Sequence, residues 1–379
     1  MSGPKSNSPN LLQSFENYLL SADSSESIES YLDMAQRAPQ YAAIRMAVVY
    51  HKEPIISIVE KRLPSFPFIV RLQRENPIVF EIEIPETARR ETQSGLFAFI
   101  PGSRPDIGRL ISVSYSKFWA EAIKPFLKKI YPFAMPVFFR QQEIENALLN
   151  LEDQMGEKYQ VQIADVTSKE ERLGSDVKRK YLDTDRRWTN LPVRDAFSQA
   201  REREQWFTSV RFQINSKKKD GDSLSQIAVG RLYKYGEVNF DFLYGEIARS
   251  LIEVLENAAA DRLSLLQGRG IKERNYEPGK PIEIAYEFEA FPDVQAIRKF
   301  GQVIQAYPNS TKAVFHANPY YHASVADFLD GSSFDVWVLS QRRVVIIPQA
   351  QSSAQAFERL ISHIFSKFGE GTVNEFQEQ

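Results

Sequence analysis

Several stretches of the chain carry apolar residues at the three- and four-residue spacing of an amphipathic helix. The spacing predicts short helices from residue 11 and from about residue 25, and longer ones over 243–266 and 294–304. The last helix has the clearest pattern. Ser352 or Ser353 can cap it, and its apolar positions are Phe357, Leu360, Ile361, Ile364, Phe365 and Phe368.

Between these helices, apolar and polar residues alternate with the period of two that is typical of half-buried strands. The stretch VFEIEI sets Phe80, Ile82 and Ile84 against Glu81 and Glu83. The same strand-like pattern occurs further along the chain in WFTSVRFQI, IAVGRLYKYGEVNFDF and IEIAYEF. Each of them is predicted to form strand structure.

These elements predict an α+β protein of two domains, because 379 residues exceed what one hydrophobic core usually supports. We expect a disordered tail over 1–10 and a mixed domain over 11–165. A basic connecting segment over 166–204 should lead to a C-terminal domain over 205–370, followed by a polar tail over 371–379. Tight hairpins should make the C-terminal sheet mainly antiparallel, with amphipathic helices covering one of its faces.

Composition limits the chemistry that the chain can perform. With no cysteine, disulfides, thiolate metal sites and cysteine nucleophiles are excluded. The polar first ten residues and the lack of any run of about 18 apolar residues predict a cytoplasmic protein with no membrane contact. Nothing in the composition or the motifs suggests a cofactor.

The stretch ADFLDGSSFDVWV, residues 326–338, crowds acids, serines and a glycine between two apolar runs. Asp330-Gly331 is a strong hairpin signal, since glycine tolerates the positive φ of such turns. Asp327 falls on the apolar face of the incoming strand, where a buried carboxylate needs a partner or a shifted pKa. The stretch is therefore either a structural turn or a reactive centre.

In the second interpretation these acids form an active site with two histidines. His322, Asp327, Asp330 and Asp335 are then candidate catalytic residues of a metal-dependent hydrolase or nuclease. His316, His322 and Asp327 are the candidate metal ligands, because imidazole and carboxylate groups bind divalent ions. Neither histidine lies in a recognised ligand spacing.

Common catalytic signatures are missing from the sequence. There is no GxxxxGK[ST], GxSxG, HExxH or dinucleotide-type GxGxxG motif. With 4 histidines in all, general-base catalysis by imidazole has few candidates. The sequence therefore favours a protein that is not an enzyme.

A basic stretch with aromatic residues lies in the predicted connecting segment. Its candidate nucleic-acid-binding residues are Lys178, Arg179, Lys180, Tyr181, Arg186, Arg187 and Trp188. Cations can neutralise phosphates and rings can stack on bases. The alternative is a solvated helix between domains, whose basic residues pair with the interspersed acids.

These observations lead to one functional hypothesis and two alternatives. We expect a non-catalytic binding or scaffold subunit of a larger cytosolic assembly, with other protein subunits as partners and nucleic acid as a candidate ligand. The first alternative is the metal-dependent hydrolase. The second is a small-molecule sensor with a closed apolar cavity between sheet and helices.

Overall fold

The computed structural model describes the chain except for residues 1–10, 35–42, 87–91, 103, 158, 171–183, 203–204, 217–224, 243–244, 271–278, 318–319, 350 and 378–379. Contacts within the chain divide it into two compact units. Unit 1 is Met1–Asn257 and unit 2 is Ala258–Gln379.

Unit 1 alternates helices with long strands. Its helices are α1 (Leu11–Ser21), α2 (Ser25–Met34), α3 (Ile55–Arg62), α4 (Ser116–Phe118), α5 (Lys124–Ile130), α6 (Gln141–Met155) and α7 (Val193–Glu202), and α8 (Glu246–Leu266) begins in it. Its strands are β1 (Ala43–His51), β2 (Ile69–Glu75), β3 (Ile78–Ile84), β4 (Gln93–Pro101), β5 (Ile107–Ser114), β6 (Ala134–Pro136), β7 (Tyr159–Glu170), β8 (Thr184–Pro192), β9 (Gln205–Ser216), β10 (Ser225–Tyr233) and β11 (Glu237–Phe242).

The strands of unit 1 form a single antiparallel sheet. Its order is β2-β3-β4-β5-β1-β11-β10-β9-β7-β8, and β6 also pairs with β1. The centre of the sheet is the pairing of β1 with β11, which sets Ile44 opposite Phe240. Strands almost 200 residues apart in sequence therefore share one ladder.

One face of the β1–β5 half is covered by an aromatic core. Phe80 and Phe97 stack at 5.4 Å between ring centroids, and Phe126 from α5 contacts Phe97 at 5.0 Å. Ala47 and Leu110, which lie opposite each other on β1 and β5, belong to the same buried cluster. Burial of such rings and aliphatic side chains is the main stabilising contribution here.

Unit 2 is a smaller antiparallel sheet with two further helices. Its elements are β12 (Ile282–Ala285), α9 (Val294–Gln305), β13 (Ser310–His316), β14 (Tyr321–Asp327), β15 (Ser333–Ser340), β16 (Arg343–Pro348), α10 (Ala354–Lys367) and β17 (Thr372–Glu375). The strand order is β13-β14-β15-β16-β12-β17. The Ser353 side chain caps α10 by accepting a bond from the Ala356 amide.

Both helices of unit 2 contact the apolar face of its sheet. Phe300 of α9 meets Tyr321 of β14 at 5.4 Å, and Phe357 of α10 meets Phe334 of β15 at 4.6 Å. Phe334 lies opposite Val325, four pairs along the ladder from Tyr321, so these contacts fall on the same face. His322, Asp335 and Trp337 alternate with that set and lie on the other face of the sheet.

The structure is α+β with large antiparallel sheets, as the sequence predicts. Three details of the organisation differ from expectation. Strands β9, β10 and β11 belong to the sheet of β1 instead of the C-terminal sheet. Residues 166–204 include the end of β7, all of β8 and α7, and residues 372–375 form β17, which pairs with β12. Local pattern predicts strands but does not specify their partners, so it could not assign these segments.

No helix among the described residues has both the length and the apolar character needed to cross a bilayer.

Candidate functional site

The acidic corner of unit 2 is a tight hairpin between β14 and β15. The strands pair from Tyr321 with Val338 to Ala326 with Ser333. Gly331 has φ +76°, in the left-handed region that favours glycine. The Asp327 carbonyl accepts from the Gly331 amide at 3.0 Å, which closes the turn.

Asp327 lies at the end of β14 with 1% of its surface exposed. Its Oδ2 accepts from Arg359 Nη2 at 2.8 Å, from Arg359 Nε at 3.0 Å and from the Tyr307 hydroxyl at 2.7 Å. Its Oδ1 accepts from the Leu329 amide at 2.8 Å. This acid on the apolar face thus has the partner that burial requires.

Asp330 and the serines connect the turn to the start of α10. The Ser353 hydroxyl donates to Asp330 Oδ2 at 2.6 Å, and Asp330 Oδ2 lies 3.2 Å from Arg359 Nη2. The Ser332 hydroxyl accepts from the Ser353 amide at 3.0 Å. Burial opposes the charge of Arg359, but the oxygens of Tyr307, Asp327 and Asp330 raise its pKa above the ordinary value.

The histidines lie elsewhere on the same sheet. His316 is opposite His322 at the far end of the β13–β14 ladder, five residues along β14 from Asp327. His322 stacks on Trp337 with 3.8 Å between ring centroids. Because five is an odd number of residues, the His322 and Asp327 side chains leave opposite faces of the sheet.

Asp335 is also held by neutral partners on the outer face. Its Oδ1 accepts from the Ser324 hydroxyl, and its Oδ2 accepts from Gln349 Nε2 at 2.9 Å.

The structure does not bring together the residues predicted as a catalytic or metal-binding cluster, which are His316, His322, Asp327, Asp330 and Asp335. Over the described residues, no group of three or more His, Asp or Glu side chains could hold a metal ion.

A different site emerges in unit 1, where the ladders align charged residues across the sheet. We call the set Arg45, Arg211, Arg231, Asn239 and Asp165 the arginine row. Asp165 lies opposite Arg211, Arg211 opposite Arg231, Arg231 opposite Asn239 and Asn239 opposite Arg45. The row therefore crosses five neighbouring strands on one face of the sheet.

The positive charges of the row exceed the negative charges that touch it. Arg231 Nη2 donates to Asp165 Oδ1 at 2.6 Å, and Asp165 is completely buried. Over the described part of the chain, Arg211 has two ion pairs, each 3.8 Å long, to Asp165 and to the exposed Asp241. Its Nε is buried without a hydrogen-bond partner among the described residues. Like charges directly opposite each other, here Arg211 and Arg231, destabilise a sheet unless another charge compensates them.

Arg45 completes the row, and no carboxylate of the residues that the structure describes forms an ion pair with it. Its Nε donates to the Ser114 carbonyl at 3.4 Å. With the Asn239 amide oriented to satisfy both of its ends, the amide oxygen accepts from Arg45 Nη1 at 2.9 Å. Burial lowers the pKa of Arg45, partly opposed by Tyr233, Asp241 and Glu237, yet a guanidinium stays charged at neutral pH.

Amide side chains border the row on the same face of β7 and β9. Gln162 Oε1 accepts from Gln213 Nε2 and from Asn215 Nδ2, both at 3.1 Å. Gln226 Nε2 donates to Gln213 Oε1 at 3.0 Å. The alternate residues Val210, Phe212 and Ile214 of β9 are buried on the other face. The face that carries the row is thus polar and hydrogen-bonded, with Asp165 and Asn239 buried and the Arg211 side chain 31% exposed.

The described part of the basic stretch predicted from sequence lies in β8, which pairs with β7. Lys178, Arg179, Lys180 and Tyr181 lie outside the described residues. Arg186, Arg187 and Trp188 fall in β8, opposite Thr167, Val166 and Asp165 of β7. The chain in this stretch extends the sheet as a strand, so the interdomain helix considered as the alternative does not form at 184–192.

Sequence reasoning missed Arg45, Arg211 and Arg231 as site residues. It predicted the strands that contain Arg211 and Arg231, and the alternation in VRFQI does put Arg211 and Gln213 on a polar face. Only the registers of four ladders show that three arginines line up.

The chain matches no family model and none of the curated proteins with which it was compared. Its function is therefore inferred from the geometry of its sites.

Proposed function

We propose that the protein is a non-catalytic nucleic-acid-binding subunit of a larger assembly, and that the arginine row and the neighbouring β7–β8 hairpin contact the phosphate backbone. The observation that carries the proposal is the unbalanced charge of the row. Arg211 has no carboxylate closer than 3.8 Å, and Arg45 has none within ion-pair distance among the described residues.

Guanidinium groups spaced along a sheet suit a polyanion. Three inter-strand steps of about 4.8 Å set Arg45 about 14 Å from Arg211 along the row. Arginine binds phosphate oxygens with two parallel N–H donors, and the neighbouring amides supply further donors and acceptors. A nucleic-acid backbone offers repeated phosphates over such a distance, whereas a small anion meets only one end of the row.

We propose binding without cleavage because the acids that touch the row form ion pairs with its arginines. Asp165 and Asp241 each face Arg211, and Asp165 also holds Arg231. In the acidic corner of unit 2, Asp327 is held by Arg359 and Tyr307. Carboxylates engaged in this way hold the fold in place, which supports a role in binding.

Fluorescence anisotropy with labelled 20-nucleotide RNA, single-stranded DNA and duplex DNA tests the proposal. The test variant combines Arg45→Gln and Arg211→Gln, which remove two charges but keep hydrogen-bonding side chains. Arg71→Gln is the matched control, since Arg71 is 46% exposed on β2 and pairs with Glu81 and Glu83. Titrations at 50 and 200 mM salt give the electrostatic share of the affinity.

We expect the parent protein and Arg71→Gln to bind alike. For a single strand, the salt slope should fall by about 0.7 for each phosphate contact that the double variant loses. Unchanged affinity in the double variant contradicts the proposed surface. No binding by the parent at 50 mM salt contradicts the nucleic-acid function itself.

A further inference from the structure

Strand β13 forms an open edge of the sheet in unit 2. It is the first strand in the order β13-β14-β15-β16-β12-β17, and β14 is its one partner among the described strands. Val314 is 40% and Phe315 59% exposed, and Thr311, Ala313 and His316 are exposed as well. An exposed apolar edge strand is a template for pairing with another strand.

The backbone groups that face outward can be assigned from the ladder. The Phe328 amide donates to the Asn309 carbonyl at 2.9 Å, so the pair 309/328 is a hydrogen-bonded pair. Hydrogen-bonded pairs recur at every second residue of an antiparallel ladder. The N–H and C=O groups of Lys312 and Val314 therefore point away from β14, and they have no partner among the described residues.

Lys312 does not protect this edge in the way that edge lysines usually do. Its ammonium donates back to the carbonyls of Tyr307 and of Ser310, the latter at 3.2 Å. Its charge is thus held by carbonyls of its own chain, at the Ser310 end of the strand. No Asp or Glu occurs in the strand, whose sequence is STKAVFH.

We propose that β13 pairs with β13 of a second copy of this chain, antiparallel and centred on Ala313. This register joins Lys312 of each copy to Val314 of the other through outward-facing N–H and C=O groups. A register centred on Lys312 also joins outward-facing residues, but it sets two lysines opposite each other, which is unfavourable. Centring on Ala313 avoids that repulsion and makes the contact symmetric.

A pocket beside the edge accommodates the exposed aromatic ring in this register. The pocket has a volume of about 450 Å³, and Thr311, Ala313, Ser324 and Asp335 are among its lining residues. With Ala313 at the centre, Phe315 of one copy lies opposite Thr311 of the other, at the rim of that pocket. Each copy therefore contributes both the exposed Phe315 ring and the pocket that receives the Phe315 ring of the other copy.

Sedimentation velocity of the full chain from 0.5 to 50 µM tests the dimer. Phe315→Ser removes the ring, and Val314→Pro removes an outward N–H while leaving the β13–β14 ladder intact. We expect each to raise the dimer dissociation constant at least about tenfold. Leu339→Ser is the control, because Leu339 is also exposed, at 42%, but lies on β15. Thermal melts confirm that each variant is folded.

Single cysteines test the register, since the natural chain has none. In the proposed pairing the Ala313 positions form a non-hydrogen-bonded pair with Cα atoms about 4.5 Å apart, which a disulfide can span. The Thr311 positions are about 13 Å apart, four residues along the strand. With oxidised glutathione as oxidant, Ala313→Cys should give a covalent dimer and Thr311→Cys should remain monomeric on a non-reducing gel.

A monomeric parent at 50 µM overturns the proposal, as does a dimer that Phe315→Ser and Val314→Pro leave unchanged. Crosslinking through Thr311→Cys but not through Ala313→Cys also overturns it, because a different register then holds the copies together. A parent dimer that both edge variants weaken, together with selective crosslinking at position 313, supports it.

Discussion

Replacing Asp327 by alanine removes the carboxylate on which the hairpin, α9–β13 loop and α10 of unit 2 converge. Arg359, with 5% of its surface exposed, then loses the two N–H···O bonds of 2.8 and 3.0 Å that balance its charge. The Tyr307 hydroxyl and the Leu329 amide lose their acceptors as well. The variant therefore leaves a buried cation supported by Asp330 alone among the acids described above.

Removing one partner of a buried ion pair costs about 3–5 kcal/mol, because the remaining charge stays desolvated. The contact to Asp330 at 3.2 Å should hold the cost at the lower end, about 3 kcal/mol. That is a large share of the 5–15 kcal/mol that stabilises an ordinary domain. Asp335→Ala, on the outer face of the same sheet, should cost only about 1 kcal/mol, since Ser324 and Gln349 are neutral donors.

Urea unfolding gives the free energy of unfolding, and hydrogen exchange localises the loss to β14, β15 and α10. Combining Asp327→Ala with Arg359→Met should recover part of the stability, because the double variant removes both buried charges. If Asp327→Ala lowers the free energy of unfolding by less than about 1 kcal/mol, the acidic corner does not stabilise unit 2 in the way described.

Two further changes test unit 1. Glu256, buried 2.8 Å from Arg109 Nε, has a pKa raised by burial from 4.5 to about 7. The folded protein favours the protonated form of Glu256, so the free energy of unfolding should fall by roughly 3 kcal/mol as pH rises from 4.5 through 7. Glu256→Gln should flatten that dependence, which thermal melts at several pH values would measure. Gly236 has φ +74°, and a Cβ there would lie 2.7 Å from the Val137 carbonyl oxygen. Gly236→Ala should lower the melting temperature by about 5–10 °C; an unchanged melting temperature would contradict this close approach.

Local pattern predicted most of the elements that build both sites. The alternation in FDVWVL and the Asp330-Gly331 pair anticipated the hairpin, and the spacing of Phe357 to Phe365 anticipated α10. The same reasoning predicted that Asp327 is exposed at an edge, hydrogen-bonded or functional. It could not name Arg359, because the helical pattern of α10 does not reveal which of its residues meets the turn.

Cross-strand register is harder to predict from sequence than the strands themselves. The period of two shows that Arg211 lies on the polar face of its strand. Which residue lies opposite Arg211 depends on which strand pairs with β9 and at what offset. The bulges in β7 and β10 shift that offset at single residues. The arginine row exists only because four such registers coincide.

The sequence by itself determined the α+β class, the positions of most helices and strands, the absence of cysteine chemistry and the need to compensate a buried acid near residue 327. These follow from local periodicity and composition, which each segment carries alone. The tertiary structure decided that β11 joins β1, that Asp327 meets Arg359, that three arginines share a row and that β13 is left at an edge. Those are long-range choices, set by the burial of whole faces against each other, and no single segment encodes them.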